Sequence, residues 1–295
     1  MNPSFTMDDV RTRTYKARDA WWTVFLVDPL AGRLVRFTAN RTSLTPNGLS
    51  CGALALGLGA AWCFWAAGWK WLVAGAVLYH LSFVLDCMDG KIARLKGTGT
   101  VFGSWLDYVF DRVRVLICAL ALTGGRFEAT GRPVYLALGV AIVFLDMLRY
   151  LDALKVAAAR REMRSRLRSA RGAEGEDRFV DRLLPVDPDE ATDEVGTPAP
   201  QVVDLQQGFR ARFSWYLRVR DWLARHRVRP HLVSGIEFQM AVFIIGPLCQ
   251  AIIPVTVVAG LLMLVFEVAI VYKLWLSTRD FAHAMAQAEA DRVAA

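Results

Sequence analysis

Four aspartates, Asp86, Asp89, Asp107 and Asp111, fall within 26 residues that otherwise read as membrane-spanning. A charged side chain at the centre of a span costs roughly 2.5–3.5 kcal/mol, so four cost on the order of 10 kcal/mol before their mutual repulsion. Asp86 and Asp89 are three residues apart and Asp107 and Asp111 four apart, so each pair shares one helix face. The turn between the pairs, Lys96–Gly97–Thr98–Gly99, is short. The two helices should therefore run antiparallel with both pairs near one level. Opposed carboxylates at close range require cations, and hard oxygen donors suit Mg²⁺ or Mn²⁺. Two divalent ions would balance the four charges, clamp a diphosphate and stabilise its displacement.

The neighbouring residues favour a phosphate-bearing ligand. Gly90 and Ala93 leave one helix face bare, so that a flat group or phosphates can approach the backbone, and Gly103 does the same on the partner helix. Arg94 offers a permanent cation with a fork suited to phosphate. Small residues alone are explained by helix–helix packing, but packing does not demand four aspartates.

The whole pattern, Asp86-x2-Asp89-Gly90-x2-Ala93-Arg94-x8-Gly103-x3-Asp107-x3-Asp111, resembles the signature of the CDP-alcohol phosphotransferases, with every spacing intact. The resemblance extends upstream to Thr45–Pro46–Asn47, the lead into the first span, and beyond the motif it is one of layout. It implies that Asp86 and Asp107 touch both metals, that Asp89 completes one site, and that Asp111 completes the other and is the catalytic general base. Gly90, Ala93 and Gly103 would line a cytidine pocket closed by Thr45 and Asn47, with Arg94 on the diphosphate. The implied partners are a CDP-linked donor, an alcohol acceptor, the bilayer and a second copy of the chain as a homodimer.

The elements that must position these residues are helical. The 295 residues are 55% apolar, and the apolar ones lie in blocks with the charges between them. Six windows, about 48–69, 71–90, 100–124, 133–154, 232–252 and 254–276, are long enough to cross a bilayer as helices. The expectation is an all-α polytopic membrane protein with six transmembrane helices, and no secretory signal is read in the polar first 18 residues. The net charge of +7 tracks the membrane flanks, which excludes a nucleic-acid reading. Fifteen arginines between Ala159 and Pro230 place the long loop, both termini and the turn between the aspartate pairs in the cytoplasm. The five cysteines fall inside the windows and read as small apolar core residues.

Four segments follow. Residues 1–42 contain an interfacial amphipathic helix over 17–41, broken near Pro29, with Trp21, Trp22, Phe25, Leu26, Leu30, Leu34, Val35 and Phe37 on one face and Arg33 and Arg36 beside them. Residues 43–158 hold spans one to four, entered through a Thr45 or Asn47 cap with Pro46 in the first turn. Residues 159–230 form a cytoplasmic loop: a basic helix extension, an acidic stretch from Asp181 to Glu194, a Pro/Gly linker at 195–200, and a second surface helix from Phe209 to His231. Residues 231–295 hold the last two spans and the tail.

Other ionisable groups in the spans are functional candidates by default. Asp146, Arg149 and Asp152 lie on the fourth span, Arg112 and Arg114 on the third, and Glu237 and Gln239 on the fifth. Arg149, Asp146 and Arg112 are the candidates for binding an acceptor that carries phosphate. An ion pair between Asp146 and Arg149 and a counter-ion role for Arg112 are the structural alternatives, and Glu237 reads as an acceptor contact or a helix–helix hydrogen bond. The resemblance implies CDP-diacylglycerol as donor, with a soluble CDP-alcohol such as CDP-inositol as the alternative, because Asp28–Leu34 resembles family members that use one. A membrane prenyltransferase would need more spans, and a transporter would not need the glycine and arginine positions.

Overall fold

The computed structural model describes residues 4–171, 222–223, 225–229 and 232–294, which contain helices and no β-strand. Helix α1 (Met7–Thr14) starts at a reciprocal cap, with the Thr6 hydroxyl accepting from Asp9 N at 3.2 Å and the Asp9 carboxylate accepting from Thr6 N at 2.8 Å. A π-helical turn, Thr23–Val27, then opens directly into α2 (Asp28–Arg41). The break expected near Pro29 does not occur. Pro29 sits in the first turn of α2, where a missing N–H leaves no bond unmade, and the π turn passes the Asp28 N–H to the Thr23 carbonyl.

Helix α3 (Pro46–Trp65) begins as its sequence dictates, with the Thr45 hydroxyl accepting from Gly48 N at 3.2 Å and Pro46 in the first turn. Helix α4 (Trp69–Lys96) stops at Gly97, whose φ of 64° is the left-handed conformation that glycine adopts freely. Three residues later the Thr100 hydroxyl accepts from Gly103 N at 2.9 Å and starts α5 (Val101–Thr130). Helix α6 (Val134–Arg171) continues well past its apolar window, which bears out the basic extension. The acidic stretch, the linker and most of the second surface helix lie outside the described residues. Helix α7 (Gly235–Leu248) contains a second π turn at Ala241–Ile245, and α8 (Ile252–Ala294) ends the chain.

Four of these helices, α3, α4, α6 and α8, are long and apolar enough to cross a membrane. Helices of this length and apolarity make the chain an integral membrane protein. Helix α5 has the length, but Asp107, Asp111, Arg112 and Arg114 crowd its first half. Helix α7 reaches only about 21 Å at 1.5 Å per residue, against about 30 Å of hydrocarbon.

The residues form two compact units. The first comprises Met1–Met147 with His231–Met263, the second Leu148–Pro230 with Leu264–Ala295. In the first unit α4 packs on α3, α1 and α2, and α3 also packs on α5. Phe64, Tyr79, Phe83, Ile92, Leu122, Ile142, Phe238 and Phe243 fill the core. Glycines permit the close approaches: a Cβ at Gly75 would stand 2.6 Å from the Phe64 ring, and one at Gly57 would stand 2.8 Å from Arg114 Cγ. Cys63 and Cys118 are buried there, but Cys51 and Cys249 are exposed, contrary to the core reading. Lipid accepts an apolar side chain as readily as the protein interior does, so apolarity alone does not sort residues inward in a bilayer.

Candidate active site

The end of α4 and the start of α5 carry the site, and the tight turn at 97–100 holds both at one level. Trp62, Trp65, Trp69 and Trp71, each at least half exposed, ring the opposite end of α4 at its junction with α3. Such aromatic belts mark a membrane interface. Asp86 and Asp89 lie about 22 and 27 Å along the helix from Trp71, so the aspartates sit close to the other face of a hydrocarbon layer about 30 Å thick.

One carboxylate oxygen from each of Asp86, Asp89 and Asp107 lies within 4.8 Å of the other two. At that spacing each pair of charges repels by about 3 kcal/mol even with an effective dielectric of about 20. The donors are all carboxylate oxygens, with no thiolate or imidazole in the group. This set fits a hard divalent ion, and the neighbouring polar groups shape it for one. Ser50 donates to Asp89 at 2.5 Å from α3, and Arg114 donates to Asp86 at 3.1 Å. Each leaves its carboxylate a further oxygen for a metal.

The fourth aspartate is held differently. Asp111 accepts from both Arg112 and Arg114. Arg112 also donates to Asp146, which accepts from Gln239 Nε2 at 2.8 Å, and Tyr79 donates to Gln239 Oε1 at 3.2 Å. Arg114 is buried, donates to Ser82 at 3.2 Å and lies over the Tyr79 ring. A continuous polar network thus runs from Asp86 through Arg114, Asp111, Arg112, Asp146 and Gln239 to Tyr79, across α4, α5, α6 and α7.

The residues expected at the nucleotide also gather. A Cβ at Gly103 would stand 2.9 Å from Asn47 Oδ1, so the start of α3 packs on the start of α5. The nearest atoms to a Cβ at Gly90 would be those of the Arg94 guanidinium, at 3.5 Å, and a Cβ at Gly99 would lie 3.8 Å from that of Ala93. Arg94 Nη2 donates to the Thr14 carbonyl at 3.1 Å. Thr45 caps its own helix, as described above. In the second unit, Arg149 pairs with Glu267 at 3.2 Å and Asp152 at 4.0 Å. Glu237 caps α7 with one carboxylate oxygen, which accepts from Ser234 N at 3.0 Å.

Residues 43–170 match the sequence profile of the CDP-alcohol phosphatidyltransferases, and this stretch contains the whole aspartate array. The match covers less than half of the chain and marks a similarity to the CDP-alcohol phosphotransferases in the stretch that carries the aspartates. The chain is 33% identical over 90 residues to the phosphatidylinositol phosphate synthase of Corynebacterium glutamicum, an alignment covering 30% of this chain and 37% of that protein. It is 33% identical over 101 residues to the archaetidylinositol phosphate synthase of Methanothermobacter thermautotrophicus, covering 34% and 46%. The phosphatidylinositol phosphate synthase of Mycobacterium tuberculosis is 33% identical over 84 residues, covering 28% and 38%. The chain therefore spans less than half the length of each of these relatives. The family uses divalent metals, in keeping with the carboxylate triad found here.

Two contacts of the site were not read from the sequence. Ser50 is 39 residues from Asp89 and carries no local sign of its partner. Lys91, inside the motif, is buried against Asp28 at 3.1 Å, and Asp28 is 63 residues away in the chain.

Proposed function

We propose that this chain transfers a substituted phosphoryl group from CDP-diacylglycerol to a hydroxyl of a polyol phosphate, releasing CMP. The observation that carries the reading is the triad of Asp86, Asp89 and Asp107 within an intact family signature. The acceptor oxygen forms a bond to the phosphorus that bears the lipid, and the bond from that phosphorus to the CMP oxygen breaks. Asp111 takes the proton of the attacking hydroxyl, with Arg112 and Arg114 fixing its direction. Arg94 pairs with the diphosphate, and Gly90, Ala93, Gly103, Thr45 and Asn47 surround the cytidine. Asp86, Asp89 and Asp107, with Asp111 completing the set, would hold two ions, Mg²⁺ or Mn²⁺, which would neutralise charge on the diphosphate.

The relatives' names, phosphatidylinositol phosphate synthase and archaetidylinositol phosphate synthase, support a polyol phosphate as acceptor. Arg112 and Asp146 are the side chains we place nearest to it. In this reading α5 also crosses the membrane and the short α7 crosses where the bilayer thins around it, giving six spans with the α4–α5 turn in the cytoplasm and the protein acting as a homodimer. The exposed Phe25, Leu26, Leu30 and Phe37 of the π turn and α2, with Arg33 and Arg36 beside them, lie in the membrane interface. The test is a screen of purified protein with CDP-diacylglycerol and soluble CDP-alcohols against inositol phosphate and other polyols, read by CMP release and product mass. Failure to release CMP from any donor refutes the function, and turnover confined to soluble donors refutes the lipid.

A further inference from the structure

The residues ahead of the family-matched stretch are built onto the catalytic helix with unusual thoroughness. Asp28 and Lys91 form an ion pair at 3.1 Å with both side chains almost completely buried. The ring of Tyr15 lies beneath the Lys91 ammonium, 5.8 Å from it, and the Tyr15 hydroxyl donates to the Asp28 carbonyl at 3.0 Å. Asn40 brackets the other end, accepting from Phe5 N at 2.9 Å and donating to the Phe5 carbonyl at 3.0 Å. Val10, Val27, Ala31 and Val35 are fully buried beneath these contacts. Buried ion pairs contribute little net stability after desolvation, and their best-attested use is to specify one arrangement.

Arg94 is what this arrangement specifies. Its side chain is exposed, and an unrestrained exposed arginine carries about 2 kcal/mol of rotamer entropy. Here one guanidinium nitrogen is tied to the Thr14 carbonyl, at the end of α1, while the other lies beside the bare face of Gly90. The Thr14 hydroxyl is spent on the Val10 carbonyl at 2.6 Å, which fixes the last turn of α1 and the direction of that carbonyl.

We propose that α1, Tyr15 and α2 form a positioning element for the donor site, holding Arg94 over Gly90 in the orientation that receives the diphosphate. This rests on the donor reading given above. It makes residues outside the family-matched stretch determinants of donor affinity.

Gly32 provides a lever that touches no motif residue. A Cβ there would come within 2.9 Å of Met7 Cε and 3.3 Å of Tyr15 Cζ, so Gly32→Val wedges α1 and Tyr15 away from α2. The experiment measures CMP release by the full chain, varying donor and acceptor separately, for Gly32→Val, Arg94→Ala and the two combined. Gly32→Val should raise the donor KM about tenfold, the loss of one pre-aligned charge-assisted contact, with kcat and the acceptor KM little changed. In the Arg94→Ala background Gly32→Val should add nothing, because its effect passes through Arg94. Tyr15→Phe removes a single hydroxyl and serves if the valine variant does not fold, and its smaller rise in donor KM should likewise vanish without Arg94. Penalties that multiply in the double variants, or that fall equally on both substrates, overturn the inference alone, as does a normal donor KM in Tyr15→Phe. An Arg94→Ala enzyme with unchanged donor KM overturns the donor reading, and this inference with it.

Discussion

Replacing Arg114 with methionine tests the electrostatic logic of the site most directly. The guanidinium is buried, donates to Asp86 at 3.1 Å and to Asp111, and its stem packs against Gly57. At 3.1 Å the attraction to Asp86 alone is about 5 kcal/mol for an effective dielectric of about 20, offset in part by desolvation of the arginine. Methionine restores most of the volume but leaves two carboxylates without their shared cation. Removing one partner of a buried pair typically costs about 3–5 kcal/mol. At roughly 2–4 °C per kcal/mol for a chain of this size, Tm should fall by about 10 °C in metal-free detergent solution. Added Mg²⁺ should raise Tm more in Arg114→Met than in the unaltered protein, because a dication at the triad supplies the missing counter-charge. Scanning fluorimetry with and without EDTA measures both shifts. A variant within 1–2 °C of the unaltered protein, or an equal response to Mg²⁺, would refute the counter-ion role.

Chelation should abolish CMP release and Mg²⁺ or Mn²⁺ should restore it, whereas full turnover after exhaustive chelation would sink the proposed metal requirement. Asp111→Asn should lower kcat by at least about a hundredfold, as for loss of a general base, while donor binding measured by calorimetry survives. Asp89→Asn should weaken metal and donor binding together, and a near-normal rate in Asp111→Asn would remove the base assignment. Arg149→Ala leaves Glu267 buried without its 3.2 Å partner, so its defect should be lost stability of about 3 kcal/mol with both KM values affected alike. A rise confined to the acceptor KM, with Tm intact, would instead place Arg149 at the acceptor.

What the sequence disclosed divides along physical lines. The Thr45–Pro46 cap and the short glycine turn at 96–99 are local chemistry, and the helices begin and end close to where those residues direct. The aspartates were legible because charge in an apolar segment has to be explained by function. Contacts between residues far apart in the chain were not legible: nothing in Ser50, Asp28 or Thr14 announces Asp89, Lys91 or Arg94. Pro29 misled because a proline in an amphipathic stretch reads as a break, whereas a π turn just before it keeps the chain helical. Glu237 was readable in principle, since Ser234 three residues earlier completes a capping box, but its place in an apolar window drew attention to the bilayer instead.

The turn at 97–100 bears on how the chain enters the membrane in the first place. All four carboxylates, with Lys91, Arg94 and Lys96, sit in the last turns of α4 or the first turns of α5, on either side of that turn. If the turn stays on the side where the chain is made, α4 and α5 insert as a hairpin and none of these charges has to traverse the hydrocarbon. The opposite orientation would drag all of them across, at roughly 2.5–3.5 kcal/mol for each one that reaches the centre. The same residues that would hold the reaction therefore discriminate between the two ways of threading the chain, and a protein inserted upside down is selected against before it could ever be tested for catalysis.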